Sequence, residues 1–146
     1  MSDKVAIVTG GGQGIGAGIA ERLAHDGYAV IVNGRTKSKL DSVVAHITAQ
    51  GGQAVSFVGD VQSRQVNIDM VQFAMTTYGR LDVFVANAGI DWVDSIEETP
   101  EAEVDNVLNI NLKSQIWALQ AAPSAMRKNG SAGGNIILAS SIAGME

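Results

Sequence analysis

The sequence predicts an α/β fold, a doubly wound parallel sheet with helices on both faces. Three observations carry the prediction. Short apolar runs alternate along the chain with helical apolar patterns, the order that a parallel sheet with crossover helices requires. The first apolar run passes directly into a glycine-rich turn and then into a helix. At 146 residues, with 46% hydrophobic and 17% charged side chains, the chain is long and apolar enough to fill one core.

Composition excludes several functions. The net charge is −5 and no basic stripe is present, which argues against nucleic acid as a partner. There is no cysteine, hence no disulfide, thiolate chemistry or thiolate metal site, and no metal is expected. Met1-Ser2-Asp3-Lys4 leads straight into a strand without a signal-peptide apolar region, and no apolar run is long enough to span a bilayer. The expectation is a cytoplasmic protein without membrane contact, built as one domain over residues 1–146.

Strand one is Val5-Ala6-Ile7-Val8, and the helix after it carries Ile15, Ile19 and Leu23 with Ala20 and Ala24 beside them. Between them lies Thr9-Gly10-Gly11-Gly12-Gln13-Gly14-Ile15-Gly16. Glycines let the backbone turn sharply and approach a ligand, and the following helix N-terminus offers unpaired N–H groups to an anion. Gly12, Gly14 and Ala17 satisfy a G-x-G-x-x-G/A spacing, although so many glycines make that match cheap. No Lys-Ser or Lys-Thr follows, so the turn is not a P-loop. Gly10, Gly12, Gln13, Gly14, Ile15 and Gly16 form the candidate phosphate cradle. The string Thr9-Gly10-x-x-x-Gly14-Ile15-Gly16 after an N-terminal strand resembles the nucleotide-binding turn of the short-chain dehydrogenase/reductase family, whose fold is the Rossmann type.

His25-Asp26-Gly27 ends the first helix, and Tyr28 to Val32 reads as a buried second strand. A fold preferring NAD places a carboxylate at the end of this strand to bind the ribose 2′-hydroxyl. Asn33-Gly34-Arg35-Thr36 stands there instead. No carboxylate repels a 2′-phosphate, and Arg35 is able to clamp one. Gly34-Arg35 also resembles the family members that prefer NADP(H), so NADP(H) is favoured and NAD(H) is the alternative. A helix follows over Lys37 to Gln50, with His46 as a surface residue; His25 reads as a cation at a helix C-terminus.

Gly51-Gly52 precedes the third strand, Gln53 to Val58, and Gly59-Asp60-Val61 follows it. The resemblance implies that Asp60 and Val61 lie against the adenine; an Asp beside a helix start is also a cap. Ser63 is a good N-cap for the next helix, whose apolar side is Val66, Met70, Phe73, Ala74 and Tyr78 and which stops at Gly79. Strand four, Leu81 to Val85, leads into Ala86-Asn87-Ala88-Gly89, similar to the family's Asn-Asn-Ala-Gly motif with Ala86 in place of its first Asn. The resemblance implies that Asn87, Ala88 and Gly89 support the sheet and border the adenosine ribose.

After a loop over Ile90 to Glu98, Thr99 suits an N-cap, Pro100 a first helical position, and Glu101 and Glu103 the dipole. The stripe Val104, Val107, Leu108, Leu112 is expected to be buried, and Asn111 on it needs partners. By itself Asn111 reads as a satisfied core residue; the resemblance implies that it holds a water in the catalytic proton relay. Trp117, Leu119 and Ala121 continue the helix, and Pro123 is expected to bend it. Relatives commonly pair through this helix, which implies a homo-oligomer. The last strand is Asn135 to Ala139, followed by Ser140-Ser141-Ile142-Ala143-Gly144. The serine-to-glycine spacing of the family selects Ser141, with Gly144, as the hydroxyl that would meet the substrate carbonyl oxygen.

Family members carry a Tyr-x-x-x-Lys helix after that serine. Here the tyrosines are Tyr28 and Tyr78, with Val32 and Asp82 four residues on. The expectation is therefore a portion of a longer reductase, truncated after the fifth strand and inactive as the 146-residue chain. The full-length parent is expected to transfer a hydride between NADP(H) and a small-molecule ketone or secondary alcohol. Ile116 to Ala122 resembles the corresponding helix of acetoin and diacetyl reductases; 3-oxoacyl-carrier-protein reductases and sugar-alcohol dehydrogenases are the alternatives. A dinucleotide-binding module without catalysis is the reading of another class.

Overall fold

The computed structural model describes residues 4–141. In chain order the elements are β1 (Lys4–Val8), α1 (Gly14–His25), β2 (Tyr28–Gly34), α2 (Lys37–Ala49), β3 (Gln53–Val58) and α3 (Arg64–Tyr78). They continue with β4 (Val83–Ala86), α4 (Glu101–Leu108), a π-helical turn (Asn109–Lys113), α5 (Ser114–Met126), a 3₁₀ segment (Arg127–Ala132) and β5 (Asn135–Leu138). The five strands form one parallel sheet in the order β3-β2-β1-β4-β5, the doubly wound arrangement read from the sequence.

Alternate residues of the central strands supply two separate cores. Val5, Ile7, Ala29, Ile31, Phe84 and Ala86 pack with Met70, Val71 and Ala74 of α3 and Ala118, Ala122, Ala125 and Met126 of α5. Ala6, Val8, Val30, Val32, Val83 and Val85 pack on the other face with Ala17, Ala20 and Ala24 of α1 and Leu40, Val43 and Ile47 of α2. A strand buried on both faces needs apolar residues at every position, hence the unbroken runs in the sequence.

The structure moves several boundaries. Asn33 and Gly34 belong to β2, where they pair with Phe57 and Val58. Leu81 and Asp82 precede β4, because the Asp82 carboxylate accepts the Val5 N–H at 2.8 Å while its own N–H reaches the Val5 carbonyl at 2.9 Å. Here a side chain takes over one hydrogen bond of the ladder. The Thr99 hydroxyl donates to the Ser95 carbonyl at 2.9 Å and closes the loop, so Pro100, in extended geometry, starts α4 in its place. α5 continues through Pro123 to Met126.

The stripe expected to be buried is exposed. Val104, Leu108 and Leu112 are 40%, 46% and 53% accessible, and α4 buries no residue. The π-helical turn rotates the helix there, so Ile110, Ser114, Ala118, Ala122 and Ala125 become the inward side. On α1 too the alanines face the sheet, while Ile15 is 79% exposed.

Candidate functional site

The ligand position in such a sheet is the carboxyl edge where neighbouring crossovers run to opposite faces. β1 lies between β2 and β4 at that point. A cleft of about 410 Å³ opens there, bordered by the turn after β1 and by the ends of β2, β3 and β4. That volume suits a small-molecule or cofactor site. Gly10, Gly12, Gln13, Gly14, Ile15, Gly16, Asn33, Gly34, Arg35, Asp60, Val61, Asn87, Ala88 and Gly89 all border it. The full candidate cofactor set thus converges on one cavity.

One hydroxyl joins its two banks. Thr9 is 3% exposed, and its Oγ1 accepts the N–H groups of Asn87 and Ala88 at 3.0 and 3.1 Å. Asn87 Nδ2 donates to the Thr9 carbonyl at 3.1 Å. Gly16 sits against this junction: a Cβ there would collide with the Gly10 carbonyl and come within 2.6 Å of Asn87 Nδ2. Gly14 opens α1 with φ +54, a left-handed conformation suited to glycine, and has no atom within 4 Å on its side-chain side. Gly14, Ile15 and Gly16, the first residues of α1, border the cleft, and no acidic residue stands in that turn.

The far bank is positioned by two asparagines. Asn33, fully buried, donates from Nδ2 to the carbonyls of Phe57 and Gly59 at 3.0 and 3.1 Å. Its Oδ1 is buried and has no hydrogen-bond partner among the described residues. Asn67, on the buried face of α3, donates to the carbonyls of Val61 and Ser63, both at 3.0 Å. The Asp60 carboxylate accepts the Gln62 N–H at 3.0 Å, so it caps this turn, while Ser63 caps α3 by accepting from Val66 at 3.4 Å. Arg35 is exposed on the cleft border, with no ion-pair or hydrogen-bond partner among the described residues.

A dinucleotide fits this set. A glycine turn and a helix N-terminus without carboxylates could take its phosphates, and an anchored turn with a cation could take its adenosine end. Asn111 and Ser141 stand apart from the cleft lining. Asn111, on the π-helical turn, accepts the Ile90 N–H at 2.9 Å and donates to the Ile90 carbonyl at 2.8 Å. Both ends of its amide are engaged with the chain that follows Gly89. Ser141 is exposed beyond β5, on the strand edge where Ala139 N–H still bonds the Ala86 carbonyl at 3.1 Å. Gly144, its partner in the sequence reading, lies outside the described residues. No cluster able to hold a metal occurs among the described residues, and none of their helices is long and apolar enough to cross a membrane.

Sequence reasoning held Thr9 only as part of the turn motif, without its bonds to the far bank, and missed Asn67 and Lys39. Lys39 borders the cleft from α2, four residues after Arg35, and its ammonium lies 2.5 Å from Gln13 Oε1. A lysine in the first turn of the helix that follows Arg35 was the available signal. For Asn67 it was a polar residue among Met70, Val71 and Ala74.

The family model described as short chain dehydrogenase matches residues 4–146. A diacetyl reductase [(S)-acetoin forming] of Staphylococcus epidermidis is 42% identical over 143 residues, covering 98% of this chain and 55% of that protein. A hydroxynaphthalene reductase of Aspergillus fumigatus is 38% identical, covering 98% and 51%. Among solved structures, a metagenomic short-chain oxidoreductase in complex with NADP superposes with a TM-score of 0.92 at 36% identity, covering 99% of this chain and 65% of that one. A Serratia marcescens short-chain dehydrogenase/reductase variant gives 0.82 at 32% identity, covering 86% and 51%. The chain spans about half the length of the curated relatives it matches.

Proposed function

The chain belongs to the short-chain dehydrogenase/reductase family of oxidoreductases, and from that premise we propose that it is the cofactor-binding part of an NADP(H)-dependent reductase of small ketones. The observation that carries this reading is the single cleft at the switch point, whose border holds the whole candidate cofactor set. Gly10 to Gly16 and the start of α1 would hold the pyrophosphate, Asp60 and Val61 the adenine, and Asn87 to Gly89 the adjoining ribose. Arg35, at the end of β2 where an NAD-preferring site has a carboxylate, supports preference for a 2′-phosphate. The bound nicotinamide supplies the hydride chemistry. The protein supplies position: Asn111 fixes the backbone at Ile90, and the Ser141 hydroxyl would donate to the substrate carbonyl oxygen as negative charge develops on it.

For substrate, the Ile116 to Ala122 helix and the likeness to a diacetyl reductase support a vicinal diketone or acetoin. Steady-state assays of the complete protein, with NADPH against diacetyl and a 3-oxoacyl thioester and with NADP⁺ against a sugar alcohol, test this, and turnover of either of the last two without diacetyl would overturn it. The exposed row Val104, Leu108, Leu112 and Ile116 supports pairing of two copies through α4 and α5.

A further inference from the structure

The first turn of α2 carries an electrostatic arrangement that the fold does not need. Arg35, Lys37 and Lys39 crowd the N-terminal end of a helix, where the dipole disfavours cations, and no acidic residue lies in that first turn. Lys37 is answered by Asp41 at 2.5 Å, and that carboxylate also accepts from Ser56 at 3.1 Å. The Lys37 hydrogen bond holds the Asp41 carboxyl below the usual carboxylate range. Arg35 and Lys39 have no such counter-charge among the described residues.

Lys39 instead crosses the cleft mouth. A Cβ on Gly12 would lie 3.3 Å from the Lys39 Cβ, so the lysine stem passes directly over the glycine turn. Its ammonium then meets Gln13 Oε1, on the residue at the N-cap of α1, whose side chain makes no capping bond. Thr36, at the N-cap of α2, makes none either. A neutral acceptor uses one of three ammonium donors and balances no charge.

Resting on the reading of this cleft as an NADP(H) site, we propose that Lys39 is the second cation of the 2′-phosphate pocket and that its bond to Gln13 is a latch exchanged when that phosphate enters. Arg35 and Lys39 together match a phosphate dianion. A ribose carrying only hydroxyls leaves both cations unanswered and the latch closed. Lys39 is thus a specificity residue for the 2′-phosphate, separate from the pyrophosphate cradle.

Dissociation constants for NADP⁺ and NAD⁺, with competition by 2′,5′-ADP and by inorganic phosphate, test the proposal on the full protein. Lys39→Met keeps the apolar stem and should weaken NADP⁺ by about tenfold or more, with NAD⁺ changed less than about twofold. Lys39→Arg should retain the preference. In Lys39→Met the salt dependence of NADP⁺ binding should also flatten. Equal loss of both cofactors would make Lys39 a brace for the glycine turn, and no loss would make it a bystander; either overturns the proposal. Inorganic phosphate competing as strongly as 2′,5′-ADP would overturn it too, since the pocket would then serve a free anion. Preference lost in Arg35→Ala but kept in Lys39→Met rejects the latch alone, whereas equal wild-type affinity for both cofactors rejects the NADP(H) reading with it.

Discussion

Thr9 shows how much one hydroxyl decides in this cleft. It accepts from two consecutive N–H groups of the turn after β4, and substitution by the isosteric valine leaves both without that acceptor. Thr9→Val is expected to lose about 3 kcal/mol in urea unfolding and to weaken dinucleotide binding, while Thr9→Ser keeps both. An unchanged urea midpoint would show that the Thr9 hydroxyl does not hold this turn. Asp82 works at the opposite end of the sheet. Burial pushes its carboxyl up, but the Arg80 guanidinium at 2.6 Å and the Val5 N–H outweigh burial and hold it below the ordinary value. A depressed carboxyl stabilises the fold fully above its unfolded pKa of about 3.9, and that contribution disappears as pH falls from there through the lower folded value. Asp82→Asn should therefore lower stability by about 2 kcal/mol at neutral pH and flatten its decline across the acid range, read by denaturant titrations at successive pH values.

At the level of elements, the helix from Glu101 to Met126 carries the main departure from expectation. Its π-helical turn adds a residue to the local hydrogen-bonded loop, so everything after it turns to a new face. Ser114, now buried, returns its hydroxyl to the Ile110 carbonyl at 2.5 Å, and Asn111 points its amide at Ile90. Leu112 is left in solvent. Leu112→Asp is expected to leave the melting temperature of the single chain within a degree or two while shifting a self-associating protein toward monomer in sedimentation across a concentration series. Unchanged association would exclude this face as the contact. β1, β2 and β4 were legible because strands buried on both sides must be apolar nearly throughout. The cofactor turn was legible because glycine spacing is a backbone requirement. The inward face of α5 was not, since one inserted residue turns it by about 100° and no side chain announces the insertion. Lys39 was missed for a related reason: its partner Gln13 is 26 residues away, and only the folded chain brings them together.

Across the whole molecule, the sheet divides the interior into two cores that meet only through the strands themselves. Phe84, fully buried beneath α3 and α5, is the largest side chain in either. Phe84→Ala is expected to cost about 3 to 5 kcal/mol in guanidinium unfolding. NADPH at about a hundredfold over its dissociation constant should restore about 2.7 kcal/mol of that, because it binds only the folded cleft. No ligand-dependent shift would separate the cleft from dinucleotide binding. The strand order has a further effect during synthesis. β1 pairs with β2 almost at once, but its other neighbour, β4, begins with Val83 opposite Ala6, 77 residues later. At about 5 to 20 residues per second, the hydrogen-bonding edge of Val5 to Val8 waits about 4 to 15 seconds on the ribosome before its partner is made. In that interval the nascent chain exposes an apolar strand edge to any neighbour able to pair with it. The window in which this protein most needs a chaperone thus opens with β1 and closes with β4.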